Sequence, residues 1–156
     1  EPGVIYGNAG YLEGGKTHLV RPDELEKFLI RQPLKHSSVF VAGSVYEQHG
    51  AFDTKLQYAM DYELLLRFYQ SDVRFCYVDR VLSFFSGGGV AQQNIDLTIR
   101  EVREVSIRYG APRLTADLGM GTKLLKQAIK RGLKRWHLEA LLGVHRRFSK
   151  RYFTEP

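Results

Sequence analysis

The sequence predicts a mixed α/β fold in which short strands come first and only helices remain at the C-terminal end. Runs rich in β-branched and aromatic residues lie at the start of the chain and at 73–85. Apolar residues at helical spacing begin at 61 and return from 95 onward. The regular strand–helix alternation of a complete nucleotide-binding sheet is missing. Because a strand-rich segment starts as early as residue 3, we expect part of a domain whose other strands lie upstream.

The first fifty residues are predicted to form short strands and short helices. Proline and acidic residues at 22–25 favour a helix start, and Gly50 is suited to end a helix in a left-handed conformation. The predicted elements are, in order, a strand at 3–12, a strand at 17–20 after the Glu13-Gly14-Gly15 turn, a helix from 22, an extended segment at 37–41 and a helix at 44–48.

The rest of the chain is predicted to be mainly helical. Leu64, Leu65 and Phe68 form one apolar face of a helix at 61–70, and 73–85 is either two short strands or one long bent strand. The remaining predictions are a flexible loop at Gly87-Gly88-Gly89, a helix at 95–109 ended by Gly110, and two helices at 122–137 and 138–151. The only plausible boundary is near 110–120, which divides the chain into 1–110 and 111–156.

Composition narrows the class of protein. Hydrophobic residues make up 44% and charged residues 26% of the 156, an ordinary balance for a soluble globular domain, and no apolar run approaches the ~18 residues that span a bilayer. Cys76 is the only cysteine, so the sequence has no intrachain disulfide, which fits a cytoplasmic protein.

The positive charge is concentrated at the C-terminal end. Residues 121–156 are net +8, and the preceding 120 residues are net −2, which gives the overall charge of +6. Since no pattern of stacking aromatic residues accompanies this charge, nucleic acid is not an expected partner.

Residues 33–68 carry the most informative motifs of the chain. They read PLKHSSVFVAGSVYEQHGAFDTKLQYAMDYELLLRF, with a His-Ser-Ser triplet, a Gly-Ala-Phe-Asp turn at 50–53 and, eight residues after that turn's aspartate, the start of an Asp-Tyr-Glu helix. This order resembles the C-terminal half of the catalytic domain of family-2 glycosyltransferases, the inverting, nucleotide-sugar-dependent enzymes with a GT-A fold. The resemblance covers about residues 1–92.

The resemblance implies a function and a set of site residues. Asp61 stands where the family has its catalytic base, and the implied substrate-binding residues are His36, Ser37, Tyr62, Gly88 and Gly89. His36 is also a candidate ligand or neighbour of a divalent metal, Mg²⁺ or Mn²⁺, whose Asp-x-Asp motif is expected upstream of Glu1 with the nucleotide-binding half. The reaction implied is transfer from a nucleotide-sugar donor to a saccharide or lipid-linked acceptor in bacterial surface polysaccharide synthesis, with 1–156 inactive alone.

Each of these residues also has a simpler interpretation. Asp61 before an apolar helix is a favourable N-cap, and both roles can coexist. A histidine in a strand is often only hydrogen-bonded, and a glycine run is often only a flexible connection. Asp53 is expected to anchor its own turn, and Arg67 to pair or pack behind the helix.

The basic segment at 121–156 suggests a second function, binding to a membrane surface. On the predicted helix at 122–137, the basic residues lie on one side and the apolar residues, among them Leu125, Ile129 and Trp136, lie on another. Such a helix suits an anionic membrane surface and predicts a peripheral location at the inner face of the plasma membrane. The alternatives are a helix that packs on the domain, and a non-catalytic interaction module in which this helix binds lipid or a partner.

Overall fold

The computed structural model describes residues 1–86, 93–135 and 152–153, and these residues form a mixed α/β structure. The strands are β1 (Val4–Glu13), β2 (Lys16–Val20), β3 (Val39–Val41), β4 (Phe75–Ser86) and β5 (Tyr152–Phe153). The α-helices are α1 (Gly43–His49), α2 (Met60–Gln70), α3 (Ile95–Arg108) and α4 (Arg113–Arg135). Two short 3₁₀ helices lie at Leu25–Leu29 and His36–Ser38.

The sheet is built around β1. Along one edge, β1 pairs antiparallel with β3 through Val4–Tyr6 and with β2 through Ala9–Glu13. Along its other edge β1 pairs with β4 in parallel, and β5 pairs antiparallel with β2. Gly14 and Gly15 adopt positive φ values of 58° and 74° in the β1–β2 turn, a conformation that glycine adopts without strain.

The parallel pair contains a bulge at Asn8. The register shifts on both sides of this residue, so that β4 bends across the middle of β1. Asn8 is buried, and its amide donates to Asp79 Oδ1 at 2.9 Å while its Oδ1 accepts the Tyr77 hydroxyl at 2.9 Å. These bonds satisfy the buried amide and join β1 to the bulged part of β4.

Helix α2 is the centre of the hydrophobic core. Six of its eleven residues are buried, and five of these, all apolar or aromatic, belong to the same core as Val4 of the sheet and Phe28 of the first 3₁₀ helix. Phe28, Tyr69 and Phe75 also form an aromatic group with centroid separations of 5.3–6.1 Å. Because α2 is buried on several sides, its orientation is strongly determined by packing.

Several sequence predictions are corrected by the observed elements. The helix expected from residue 22 is only the 3₁₀ helix Leu25–Leu29, and His36 and Ser37 lie in a 3₁₀ turn before β3 rather than in an extended strand. Of the two alternatives for 73–85, the single long bent strand is found, and it spans Phe75–Ser86. Helix α4 begins at Arg113, not at residue 122, and runs through the expected boundary region.

Two predicted segments, the Gly87–Gly89 loop and the helix at 138–151, lie outside the described residues. Over the part of the chain that the structure describes, no helix combines the length and the apolar character needed to cross a membrane.

Candidate functional site

A pocket of about 610 Å³ opens between β3, α1, α2 and the loop at 50–59 that joins the two helices. Most of its lining is apolar or aromatic, and three polar side chains supply the rest. The lining consists of His36, Val39, Val41, Tyr46, Phe52, Gln57, Tyr58, Met60, Asp61, Leu64 and Leu65. The pocket therefore joins two residues that the sequence singled out, His36 and Asp61, to an apolar cavity.

Asp61 and His36 form a hydrogen-bonded pair at this pocket. His36 Nδ1 lies 3.1 Å from Asp61 Oδ2, and Gln32 Nε2 is 3.4 Å from the same oxygen. The other oxygen, Oδ1, accepts the backbone N–H of Tyr62 at 2.8 Å. The Asp61 side chain is 27% exposed, so the carboxylate is held on two sides and still reaches solvent at the pocket.

The environment keeps Asp61 ionised. Burial by itself would raise the pKa of the Asp61 carboxyl, but the hydrogen bond and charge of His36, with the N–H groups of Tyr62 and Gln32, together lower it below its ordinary value. The hydrogen bond to Asp61 raises the pKa of His36 in turn, although burial and Lys35 oppose this change. An ionised carboxylate beside a protonatable imidazole is a group able to accept a proton at neutral pH.

The N-cap interpretation of Asp61 is wrong. The N-cap position of α2 is Ala59, and Asp61 lies inside the first turn. There its negative charge interacts favourably with the positive end of the helix dipole. The carboxylate therefore projects from the helix start toward His36 instead of closing the helix.

Two other predicted substrate-binding residues, Tyr62 and Ser37, do not line the pocket. Tyr62 is 1% exposed, and its hydroxyl bonds the Phe28 carbonyl and, at 2.9 Å, the Ser106 hydroxyl. The Ser37 hydroxyl accepts a hydrogen bond from Ser83 of β4 at 3.0 Å and does not line the pocket. Gly88 and Gly89 lie outside the described residues.

The described residues do not by themselves build a metal site. No group of three or more His, Cys, Asp or Glu side chains in residues 1–86 and 93–135 is arranged to hold a metal ion. Among the residues that line the pocket, His36, Asp61 and the Gln57 amide have atoms that could ligate a metal, and the first two are hydrogen-bonded to each other. No chemical step is therefore assigned to a metal at this pocket.

Comparisons of this chain with protein-family models, with curated proteins and with solved structures find no match. Function is therefore inferred from the motifs of residues 33–68 and from the geometry of the pocket.

The loop at 50–59, which supplies much of the pocket lining, is anchored by side chains from two helices. Arg67 of α2 bonds Glu63 and donates to the carbonyls of residues 49–51. From α3, Arg108 pairs with Asp53 at 3.0 Å. Asp53 also accepts the Lys55 N–H, which confirms its expected role as an anchor of its own turn.

A third anchor of this loop is Glu101 of α3, which the sequence did not indicate as important. Its carboxylate accepts the backbone N–H groups of Gln57, Tyr58 and Ala59 at distances of 2.7–3.2 Å. Within the sequence Glu101 is one of several acidic residues on an amphipathic helix, and only the packing of α3 against the loop distinguishes it.

Proposed function

We propose that this chain is the acceptor-side and base-side part of a GT-A glycosyltransferase that transfers a sugar from a nucleotide-sugar with inversion. The observation that carries the proposal is the ionised Asp61 carboxylate at the start of α2, paired with His36 and exposed to a pocket of about 610 Å³. The Gly-Ala-Phe-Asp turn and the Asp-Tyr-Glu helix start supply the motif support.

In the proposed reaction, an acceptor hydroxyl attacks the anomeric carbon of the donor sugar. The new glycosidic C–O bond forms as the bond from that carbon to the diphosphate oxygen breaks, and the nucleoside diphosphate leaves with the bonding electrons. Asp61 accepts the hydroxyl proton, because its carboxylate is ionised and within the pocket. His36 keeps Asp61 oriented and, when protonated, contributes positive charge near the leaving diphosphate.

The pocket lining supports a saccharide or lipid-linked acceptor. The polar groups His36 and Asp61 lie together, whereas Tyr46, Phe52 and Tyr58 provide aromatic surface on the loop and on α1. A sugar ring has polar hydroxyls and apolar C–H faces, so it can place one hydroxyl near the carboxylate while a ring face contacts an aromatic side chain.

The proposal divides the enzyme into two parts. Residues 1–156 contain no Asp-x-Asp motif, and in the proposed enzyme the donor nucleotide and its Mg²⁺ or Mn²⁺ bind to a separate nucleotide-binding segment. Sugar transfer is therefore to be measured in a protein that joins this sequence to that segment, and residues 1–156 alone are expected to transfer none.

The test is the Asp61→Asn variant of the joined protein. Removing the proton acceptor is expected to lower kcat at least 100-fold, in line with the usual contribution of a general base, while the circular dichroism spectrum stays unchanged. A matched control is Asp72→Asn, which changes a carboxylate in the turn after α2, outside the residues that line the pocket. Normal turnover by Asp61→Asn would refute the base assignment, and turnover by 1–156 alone would refute the division into two parts.

A second candidate function, binding to an anionic membrane surface, is favoured by helix α4. Leu114, Leu118, Leu125 and Ile129 follow one another at helical spacing, and each is more than half exposed. The opposite face, which includes Ala116 and Lys123, is the one that packs on the protein. We propose that this exposed apolar stripe and the neighbouring cations contact lipid at the inner face of a membrane.

One predicted cation does not take part in this surface as expected. Lys123 is partly buried rather than solvated, and burial, with the nearby charge of Arg31, lowers the pKa of its ammonium group. Lys126 is exposed and remains available to anionic head groups.

Vesicle binding tests this second function. The unaltered chain is expected to sediment with vesicles containing phosphatidylglycerol at low salt and not with neutral vesicles, because the attraction is partly electrostatic. Leu118→Asp and Lys126→Glu should each weaken binding, while Thr115→Asp, on the same helix but off the stripe, should have less effect than Leu118→Asp. Failure of the unaltered chain to bind either vesicle would refute the proposal.

A further inference from the structure

Helix α3 places a carboxylate at the segment that leads into the candidate catalytic residue. Glu101 Oε2 accepts the N–H groups of Gln57 at 3.2 Å, Tyr58 at 2.7 Å and Ala59 at 2.9 Å. The other oxygen, Oε1, also accepts the Gln57 N–H, at 3.1 Å. Three successive backbone donors therefore converge on one carboxylate. Charge-assisted bonds of this kind are about twice as strong as neutral ones.

These bonds act directly on the start of α2. The Ala59 carbonyl accepts the N–H of Glu63, which is the first hydrogen bond of that helix, and Ala59 is 1% exposed. Asp61 follows two residues later, so the position of Ala59 determines where the Asp61 carboxylate points. No side chain caps α2 from its own N-cap position, which leaves Glu101 to orient this segment from a distance of more than forty residues along the chain.

We infer that Glu101 is a positioning residue, which holds residues 57–59 so that Asp61 meets His36 at hydrogen-bond distance. The catalytic meaning of this role rests on the proposed function, but the positioning itself is a property of the folded chain. The loop has independent anchors at Arg67 and at Asp53, so loss of Glu101 is expected to displace the end of the loop next to Asp61 while leaving its beginning in place.

The ionisation of His36 reports this positioning without any need for sugar transfer. His36 is raised in pKa by its hydrogen bond to Asp61 and by the charge of that residue, while burial and Lys35 act in the opposite direction. Nuclear magnetic resonance titration of the labelled 156-residue chain measures this value, and a His36→Gln variant identifies the His36 signal among the five histidines.

The expected result is a lower His36 pKa in Glu101→Ala than in the unaltered chain, shifted toward the value in Asp61→Asn. Glu104→Ala is the matched control, because Glu104 lies on the same helix and is exposed, and it should leave the His36 value almost unchanged. An unchanged value in a folded Glu101→Ala chain would overturn the inference.

A double-mutant cycle separates positioning from a direct effect of the Glu101 charge. In an Asp61→Asn background, Glu101→Ala should no longer change the His36 pKa, because the group that Glu101 positions is no longer charged. A decrease of the same size in that background would overturn the inference in favour of direct electrostatics. Should Glu101→Ala fail to fold, Glu101→Gln retains one accepting oxygen, and a smaller decrease is expected there; no decrease would overturn the inference.

Discussion

Replacement of Tyr62 by phenylalanine tests whether this residue belongs to the core or to the substrate site. Tyr62 is 1% exposed, and its hydroxyl joins α2 to the Phe28 carbonyl and to Ser106 of α3. The Tyr62→Phe variant removes both bonds and leaves a buried carbonyl without this donor, at a cost of about 2 kcal/mol in the free energy of unfolding. For a chain of this length, that loss corresponds to a decrease of about 4–8 °C in Tm.

Urea and thermal unfolding followed by circular dichroism measure this cost, and ligand binding is measured on the same samples. Tyr58→Phe is the matched control: the Tyr58 ring is partly exposed at the pocket, so its change in stability should stay within about 0.5 kcal/mol. A Tyr62→Phe variant with unchanged stability and weakened binding of an acceptor saccharide would refute the core assignment.

The pH dependence of stability gives an independent measurement on the same residue. Burial raises the pKa of Tyr62 to about 12, although its bond with Ser106 acts in the opposite direction. Above pH of about 10 the unfolded chain loses the phenolic proton while the folded chain keeps it, so the contribution of Tyr62 is fully present below that pH and is lost as the pH rises toward 12. The Tyr62→Phe variant should therefore lose less stability over this alkaline range than the unaltered chain.

Three further predictions concern the site and the loop beside it. Asp61→Asn should lower the pKa of His36 in a magnetic resonance titration, and an unchanged value would contradict the hydrogen bond between the two side chains. Arg67→Met should decrease the free energy of unfolding by about 3 kcal/mol in urea, because a buried glutamate loses its guanidinium partner; a change below about 1 kcal/mol would contradict this. Gly50→Ala should decrease the free energy of unfolding by about 1–3 kcal/mol, because Gly50 has φ +83° and ψ 162°, a conformation that strains a residue with a Cβ. Its control, Gly121→Ala, lies inside α4 with open space around it and should be neutral or stabilising.

The His36–Asp61 pair also predicts the range of pH over which these two residues stabilise the fold. The pKa of His36 is raised above its ordinary value of 6.5. Its contribution to stability is therefore present below that pH and is lost as the pH rises through the higher folded pKa. The pKa of Asp61 is lowered below its ordinary value of 3.8. Its contribution to stability is therefore present above that pH and is lost as the pH falls through the lower folded pKa. Because His36 is 70% exposed, the pair is worth at most about 1 kcal/mol, and its main effect is on orientation.

Much of the fold was predictable from local patterns. The strand at the start of the chain, the β1–β2 turn with its two glycines, helix α1 ended by Gly50 and helix α3 ended near Gly110 are found as expected. Each depends on residues that lie within a few positions of one another, so glycine conformation, β-propensity and apolar spacing are sufficient. The bulge in β4 was less accessible, because it is stabilised by Asn8, far away in the sequence.

The sequence by itself determined that a carboxylate lies at the start of an apolar helix, and it predicted a histidine at the start of a neighbouring strand. Only the tertiary structure decided that these two groups meet at 3.1 Å beside a pocket, and that the adjacent Tyr62 faces the core. Consecutive residues on a helix are separated by about 100°, so one side chain can reach the pocket while its neighbour is buried. Which of them does so depends on how α2 packs against the sheet and α3. Glu101 of α3 contributes to this, because it binds the backbone N–H groups that precede α2.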